Sequence, residues 1–279
     1  MSNGIHEQEI VIRPPSGLPK VNLRELYEYR HMLGSMIWKK IRVEFNDMYL
    51  NVFWACVRPL AMLAVFHFIK NYSGANMYVS IPYSLYFYSG IIFWFYFVEA
   101  TSTTAKSVER DAGLMQKIYF PRLISPLVPI VSGLYTLAIA AVPLLVMMLW
   151  NGVYPGWKIL LLPLVLLTGM VLILGIGAMF ASLTIFSRDS ERFLKIILYL
   201  GLFVSPIMYQ PDKIEARGQI IYFLNPMAGI LLAFRACLFS DFPLPAWWQI
   251  QYSVCFSIII LFVGLRMFHR AEMYFMDKL

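Results

Sequence analysis

Side chains able to do chemistry are few in this 279-residue chain, and they gather in few places. The densest group lies in residues 105–123, AKSVERDAGLMQKIYFPRL, between two long apolar runs. It holds six charges: Lys106, Glu109, Arg110, Asp111, Lys117 and Arg122. Glu109 and Asp111 fall near the start of a helix-competent segment, where the helix dipole favours carboxylates, and Lys117 falls near its end. Leu114, Met115, Ile118, Tyr119 and Phe120 give it an apolar, adaptable face, with 115, 118 and 119 at helical spacing. Pro121 stops the helix. Such a segment reads as a contact surface or as a solvated linker helix, and the apolar face favours the first.

Catalytic groupings are missing from the sequence. No G-x-x-x-x-G-K-[ST] loop is present to cradle nucleotide phosphates, no H-E-x-x-H, and no Cys-x-x-Cys. The four histidines are scattered, and Cys56, Cys237 and Cys255 make no disulfide framework. No metal site and no bound cofactor are expected. Two charges sit inside apolar runs, Arg58 and Glu99, at similar expected depths. Either they pair, or each snorkels separately to the interface. An ion-coupled transporter usually has several ionisable groups at mid-membrane. A transporter built like this one takes its energy from elsewhere.

The elements that position these residues are membrane helices. Hydrophobic residues make up 59% of the chain and charged ones 14%, with a mean hydropathy of +0.65. The composition excludes an ordinary soluble domain. The net charge of +7 does not indicate nucleic acid, because the basic residues flank apolar spans. We expect an all-α polytopic membrane protein with six transmembrane helices, near residues 52–69, 83–105, 123–150, 159–186, 193–209 and 247–267. Prolines 129, 143 and 163 fall within these spans. Residues 1–21 read as a flexible lead and 22–279 as one membrane domain. Of the 23 lysines and arginines, 17 fall on the side of the termini and five on the other. The positive-inside rule then puts both termini in the cytoplasm.

Two further segments lie outside the spans. Residues 22–45 show apolar positions at helical spacing behind Asn22 and Glu25, a capping-box pattern. They read as a helix in the cytoplasmic interface or as an amphipathic helix packed on protein. Residues 210–246 contain NPMAGILLAFRACLF, too short to span. This reads as a short external re-entrant helical hairpin or as a plain loop helix.

Four stretches in order carry a family resemblance. They are NLRELYEYRHMLGSMIWKKIRVEFNDMYLNVFWACVRPL, LMQKIYFPRLISPLVPI, SRDSERFLKIILYLGLFVSPIMY and YFLNPMAGILLAFRACLF. Together they resemble the membrane subunit of ABC-2 type polysaccharide exporters over almost the whole chain. The leading segment is most similar to the O-antigen exporter permeases. Teichoic acid, capsule and drug or lipid exporters of the same superfamily are the alternatives. A glycosyl transferase acting on polyprenyl lipids would need acidic metal-binding clusters that this sequence lacks.

The resemblance implies a subunit that is not itself an enzyme, working as a homodimer with two ATPase subunits that hold ATP and Mg. It implies a bacterial inner-membrane location and a polyprenyl-diphosphate-linked glycan as cargo. It implies docking of the ATPase through Glu109, Asp111, Met115, Ile118, Tyr119 and Phe120, with Arg188 and Asp189 of the next cytoplasmic turn. Tyr86, Phe87 and Trp94 are candidates for the glycan channel, since aromatic faces stack on sugars. Tyrosine and tryptophan also form membrane-interface belts.

Overall fold

A computed structural model describes residues 23–44, 48–73, 81–187, 189–209 and 224–272. Every regular element among the described residues is helical. The lead, residues 1–21, lies outside them, as do Arg188 and residues 210–223.

At the basic end of the bundle lie α1 (Leu23–Glu28) and α2 (Arg30–Glu44). Backbone bonds Tyr29 N to Glu25 O and Leu33 N to Tyr29 O carry the helix across the break between them. Leu26, Tyr29, Leu33, Met36 and Ile37 recur at i, i+3, i+4 spacing and pack around Phe120, Ile124 and Val128. The amphipathic segment is therefore seated on protein, with Tyr27, Trp38 and Val43 exposed on its other side.

The bundle continues with α3 (Met48–Ser73), α4 (Tyr83–Ala105), the short α5 (Ser107–Met115) and α6 (Ile124–Trp150). A 3-10 turn, Trp157–Leu161, leads into α7 (Leu162–Phe186), followed by α8 (Asp189–Val204). Last come α9 (Pro226–Leu238) and α10 (Trp247–Ala271). Helix α4 is the axis of the core, buried along most of its length against α6 and α7. Its tyrosines sit inside because their hydroxyls find acceptors: Tyr88 donates to Ala140 O at 3.0 Å and Tyr96 to Ile130 O at 3.1 Å. Pro143, which has no N–H, leaves the carbonyl of Ile139 without its helical donor, and the Cys56 thiol approaches that oxygen at 3.7 Å. Pro163 falls in the first turn of α7, where a missing N–H costs nothing.

Among the described residues, four helices are long and apolar enough to cross a membrane by length and composition: Asn51–Tyr72, Ile124–Trp150, Trp157–Phe186 and Trp247–Ala271. Helix α4 has 23 residues, but its tyrosines and Glu99 dilute its apolarity. Helix α8 has 16 residues, or ~24 Å, short of a ~30 Å hydrocarbon core. It stops at Val204 because Ser205 precedes Pro206 and is pushed out of the helical region. Helix α9 starts on a cap: Asn225 Oδ1 accepts from Met227 N at 3.0 Å, and Pro226 takes the first turn. Met227 to Cys237 are all buried, so α9 is inserted among α4, α7 and α10 and is no surface loop helix. The hairpin's other arm lies outside the described residues.

Candidate functional site

The charged connection after α4 forms the tip of the basic end. Helix α5 begins directly after Lys106, buries Ser107 and Val108, and ends at Met115. Ile118 N still reaches Leu114 O at 3.1 Å, but 116–123 form turns. Met115, Ile118 and Tyr119 therefore do not share one continuous helical face. Met115 turns inward toward Phe120 and Phe268, while Ile118 and Tyr119 project outward, 53% and 77% exposed. Phe120, expected at the contact surface, is 4% exposed. It plugs the base of the tip against α1 and α2, which only tertiary packing determines.

Charges brace the tip on three sides. The Tyr119 hydroxyl donates to Glu25 Oε1 at 3.2 Å. Burial, then the Glu25 carboxylate, pushes this phenol above its ordinary pKa, so it stays a donor throughout the physiological range. Arg122 meets Glu272 just past α10, by an ion pair of 3.6 Å and a bond to its carbonyl. Lys106 pairs with Glu191 of α8 at 2.8 Å, and Lys195 joins the same carboxylate. A cavity of about 260 Å³ lies beneath, walled by Glu25, Ile118, Tyr119, Arg122, Phe268 and Glu272. Glu109 is exposed, whereas Asp111 is held by Arg110 through two bonds of 3.0 Å. Asp189 opens α8 and pairs with Arg192 at 3.0 Å on an open surface. Arg188 lies outside the described residues.

The aromatic candidates lie elsewhere. Tyr86 is fully buried toward the opposite end, its hydroxyl donating to Tyr209 O at 2.9 Å and its ring 3.6 Å beneath the Arg235 guanidinium. Phe87 stacks on Phe66 with centroids 5.0 Å apart. Trp94 packs beside Phe97 and over Gly201. All three are packed within one chain, because α4 is buried along most of its length. Exposed aromatics include Phe53, Trp54, Phe68 and Tyr72 on α3 and Phe193, Tyr199 and Phe203 on α8, with Trp150, Trp157, Trp247 and Trp248 at the ends of α6, the 3-10 turn and α10. Arg58 and Glu99 line one cavity, but among the described residues no ion pair joins them.

Sequence reasoning missed Arg235, Glu25, Glu191 and Glu272. Arg235 alone had a signal, a single charge within an apolar run. The three glutamates act through partners far away in the chain.

A polytopic helical bundle with a charged, internally braced tip at its basic end is the membrane part of a transporter. The chain belongs to the ABC-2 type transporter family, whose profile matches residues 32–239. It is similar to the O-antigen export system permease protein RfbA of Klebsiella pneumoniae, 27% identical over 267 residues, covering 93% of this chain and 98% of that one. It is also similar to the protein of that name from Myxococcus xanthus, 22% identical over 260 residues, covering 92% and 98%.

Proposed function

We propose that this chain is the membrane subunit of an ATP-driven exporter of O antigen carried on a polyprenyl-diphosphate lipid. Two copies work with two separate ATPase subunits, which bind ATP and Mg. The complex sits in the bacterial inner membrane, with the basic end and both termini in the cytoplasm. The observation that carries this reading is the match to O-antigen export permeases over 98% of their length. The braced tip supports the coupling step. A push on Ile118 and Tyr119 is relayed by Phe120 to α6, by Lys106 and Glu191 to α8, and by Arg122 and Glu272 to α10. Glu109 and Asp111 stand at the polar rim of this contact, with Asp189 nearby in the next connection and Arg188 before it in sequence. With Tyr86, Phe87 and Trp94 packed within the chain, we place the glycan-facing aromatics among the exposed rings, those of α3 and α8 included.

Tyr119→Ala tests the coupling. The ring is mostly exposed in the single chain, so Tm in detergent should hold. Buried aromatic anchors at interfaces contribute ~2 kcal/mol or more, so ATPase retained on the purified subunit should fall by more than tenfold, together with surface O antigen. Glu109→Gln should cost ~1 kcal/mol or less. Normal retention and export by Tyr119→Ala would show that the tip is only a linker. Rescue of a teichoic-acid or capsule exporter mutant, and not of an O-antigen one, would reassign the cargo.

A further inference from the structure

A cavity of about 540 Å³ opens between α2, α3, α4 and α6, and its lining changes along its length. Lys40 and Glu44 of α2 form its mouth at the basic end. Arg58 of α3 and Glu99 and Thr103 of α4 come next. Ile92, Phe95 and Leu137 make the remainder apolar. At 1.5 Å per residue, Thr103 and Ile92 lie ~16 Å apart along α4, close to one leaflet of a ~30 Å hydrocarbon core.

The mouth carries two cations and two anions. Lys40 Nζ lies 3.4 Å from Glu44, and burial draws its ammonium below the ordinary lysine pKa. Glu99 accepts from the Thr103 hydroxyl at 3.3 Å. Arg58 has no ion pair or hydrogen bond among the described residues. Charges at membrane depth require a counter-charge, and these two line one cavity without meeting. A group carrying both signs would satisfy both. A polyanionic diphosphate would sit against two carboxylates, so a mouth of balanced charge favours a headgroup of balanced charge. The apolar remainder, about one leaflet long, suits an acyl chain.

We infer that this cavity holds one phospholipid with a phosphoethanolamine headgroup, its phosphate between Arg58 and Lys40, its ammonium at Glu99, and an acyl chain along Ile92, Phe95 and Leu137. The ethanolamine N–H groups can donate to Glu99, which the quaternary ammonium of a choline lipid cannot. The site is a wedge between α3 and the rest of the bundle, and it does not depend on which cargo the transporter moves.

Native mass spectrometry of the delipidated full-length chain tests this. Phosphatidylethanolamine, phosphatidylcholine, phosphatidylglycerol and a polyprenyl diphosphate are added separately at equal concentration. Phosphatidylethanolamine should be retained about tenfold better than phosphatidylglycerol, with phosphatidylcholine between them. Glu99→Gln should remove that preference, whereas Arg58→Gln should weaken retention of every phospholipid and leave the preference in place. Equal retention of the ethanolamine and glycerol lipids by the wild type overturns the inference, whether or not the variants fold. Preferential retention of the polyprenyl diphosphate also overturns it and gives the cavity to the cargo. Retention of no lipid overturns it as well, and means that another protein surface covers the groove.

Discussion

Replacing Arg235 by methionine is expected to destabilise the protein by ~3 kcal/mol or more, read as a fall in Tm of the full-length chain in detergent. Arg235 is completely buried on α9. Its Nε donates to Tyr86 O at 3.1 Å, and its two other nitrogens donate to Pro206 O and Ile207 O. One planar fork thus ties α4, the turn after α8, and α9. That turn holds Ser205 and Ile207, where the helix has already ended, so the carbonyls have no helical donors to fall back on. Methionine fills much of the volume but removes a charged donor from three buried acceptors; Tyr86 O keeps Ser89 Oγ at 3.0 Å and Pro206 O keeps the Tyr86 hydroxyl at 3.3 Å, and hydrogen bonds to charged groups contribute about 1.5–3 kcal/mol each. Lysine should not rescue, because an ammonium is a point donor and cannot span the three acceptors with a rigid fork. Gly90→Ala tests the same clamp from α4, since an added Cβ would lie 3.2 Å from the guanidinium carbon and overlap a terminal nitrogen. The two variants should be strongly non-additive, because both break one contact. A Tm for Arg235→Met within about 1 °C of wild type, or strict additivity with Gly90→Ala, would dissolve the clamp.

What could be read from the sequence divides along the same line. The all-helical membrane class was legible because apolar length and charge placement are local properties. A short helix within residues 210–246 was legible because NPMAGILLAFRACLF is apolar and too short to span. The clamp was not, since the carbonyls that Arg235 binds lie 28, 29 and 149 positions away. The charged tip was half legible. Its charges and its position between apolar runs were plain, but helical spacing grouped Met115 with Ile118 and Tyr119, and the helix ends at Met115. Which aromatic faces outward depends on where α1, α2 and α10 pack, and so Phe120 is hidden while Tyr119 is open. The same holds for Tyr86, Phe87 and Trp94. Residue type marked them as sugar-binding candidates, but α4 became the core of the bundle, and its aromatic rings serve packing.

Gly264→Val is expected to be the most disruptive single change to the frame that carries the tip. Helices α7 and α10 cross where Gly175 meets Gly264. An added Cβ on Gly264 would lie 3.0 Å from the Gly175 carbonyl carbon and overlap its oxygen, and one on Gly175 would lie 2.6 Å from Leu261 N. The obstacles are backbone atoms, which cannot swing aside as a side chain can. The helices must separate, and in lipid they lose the close packing that holds them, because no hydrophobic drive between helices replaces it. Overpacking of this kind costs about 1–3 kcal/mol and sometimes more, or roughly 2–10 °C in Tm. The effect should reach function, because α10 carries Phe268 against the base of the tip and leads to Glu272, which holds Arg122. Gly264→Val should therefore lower both Tm and ATPase retention, whereas Tyr119→Ala lowers retention alone. Gly34→Ala on α2 is the control: nothing lies within 4 Å of its added Cβ, and helix propensity should make it neutral or stabilising by about 0.5–1 kcal/mol. If Gly264→Val melts with the wild type while Gly34→Ala does not differ from it, the α7–α10 crossing has slack, and the bracing of the tip must come from α1, α2 and α8.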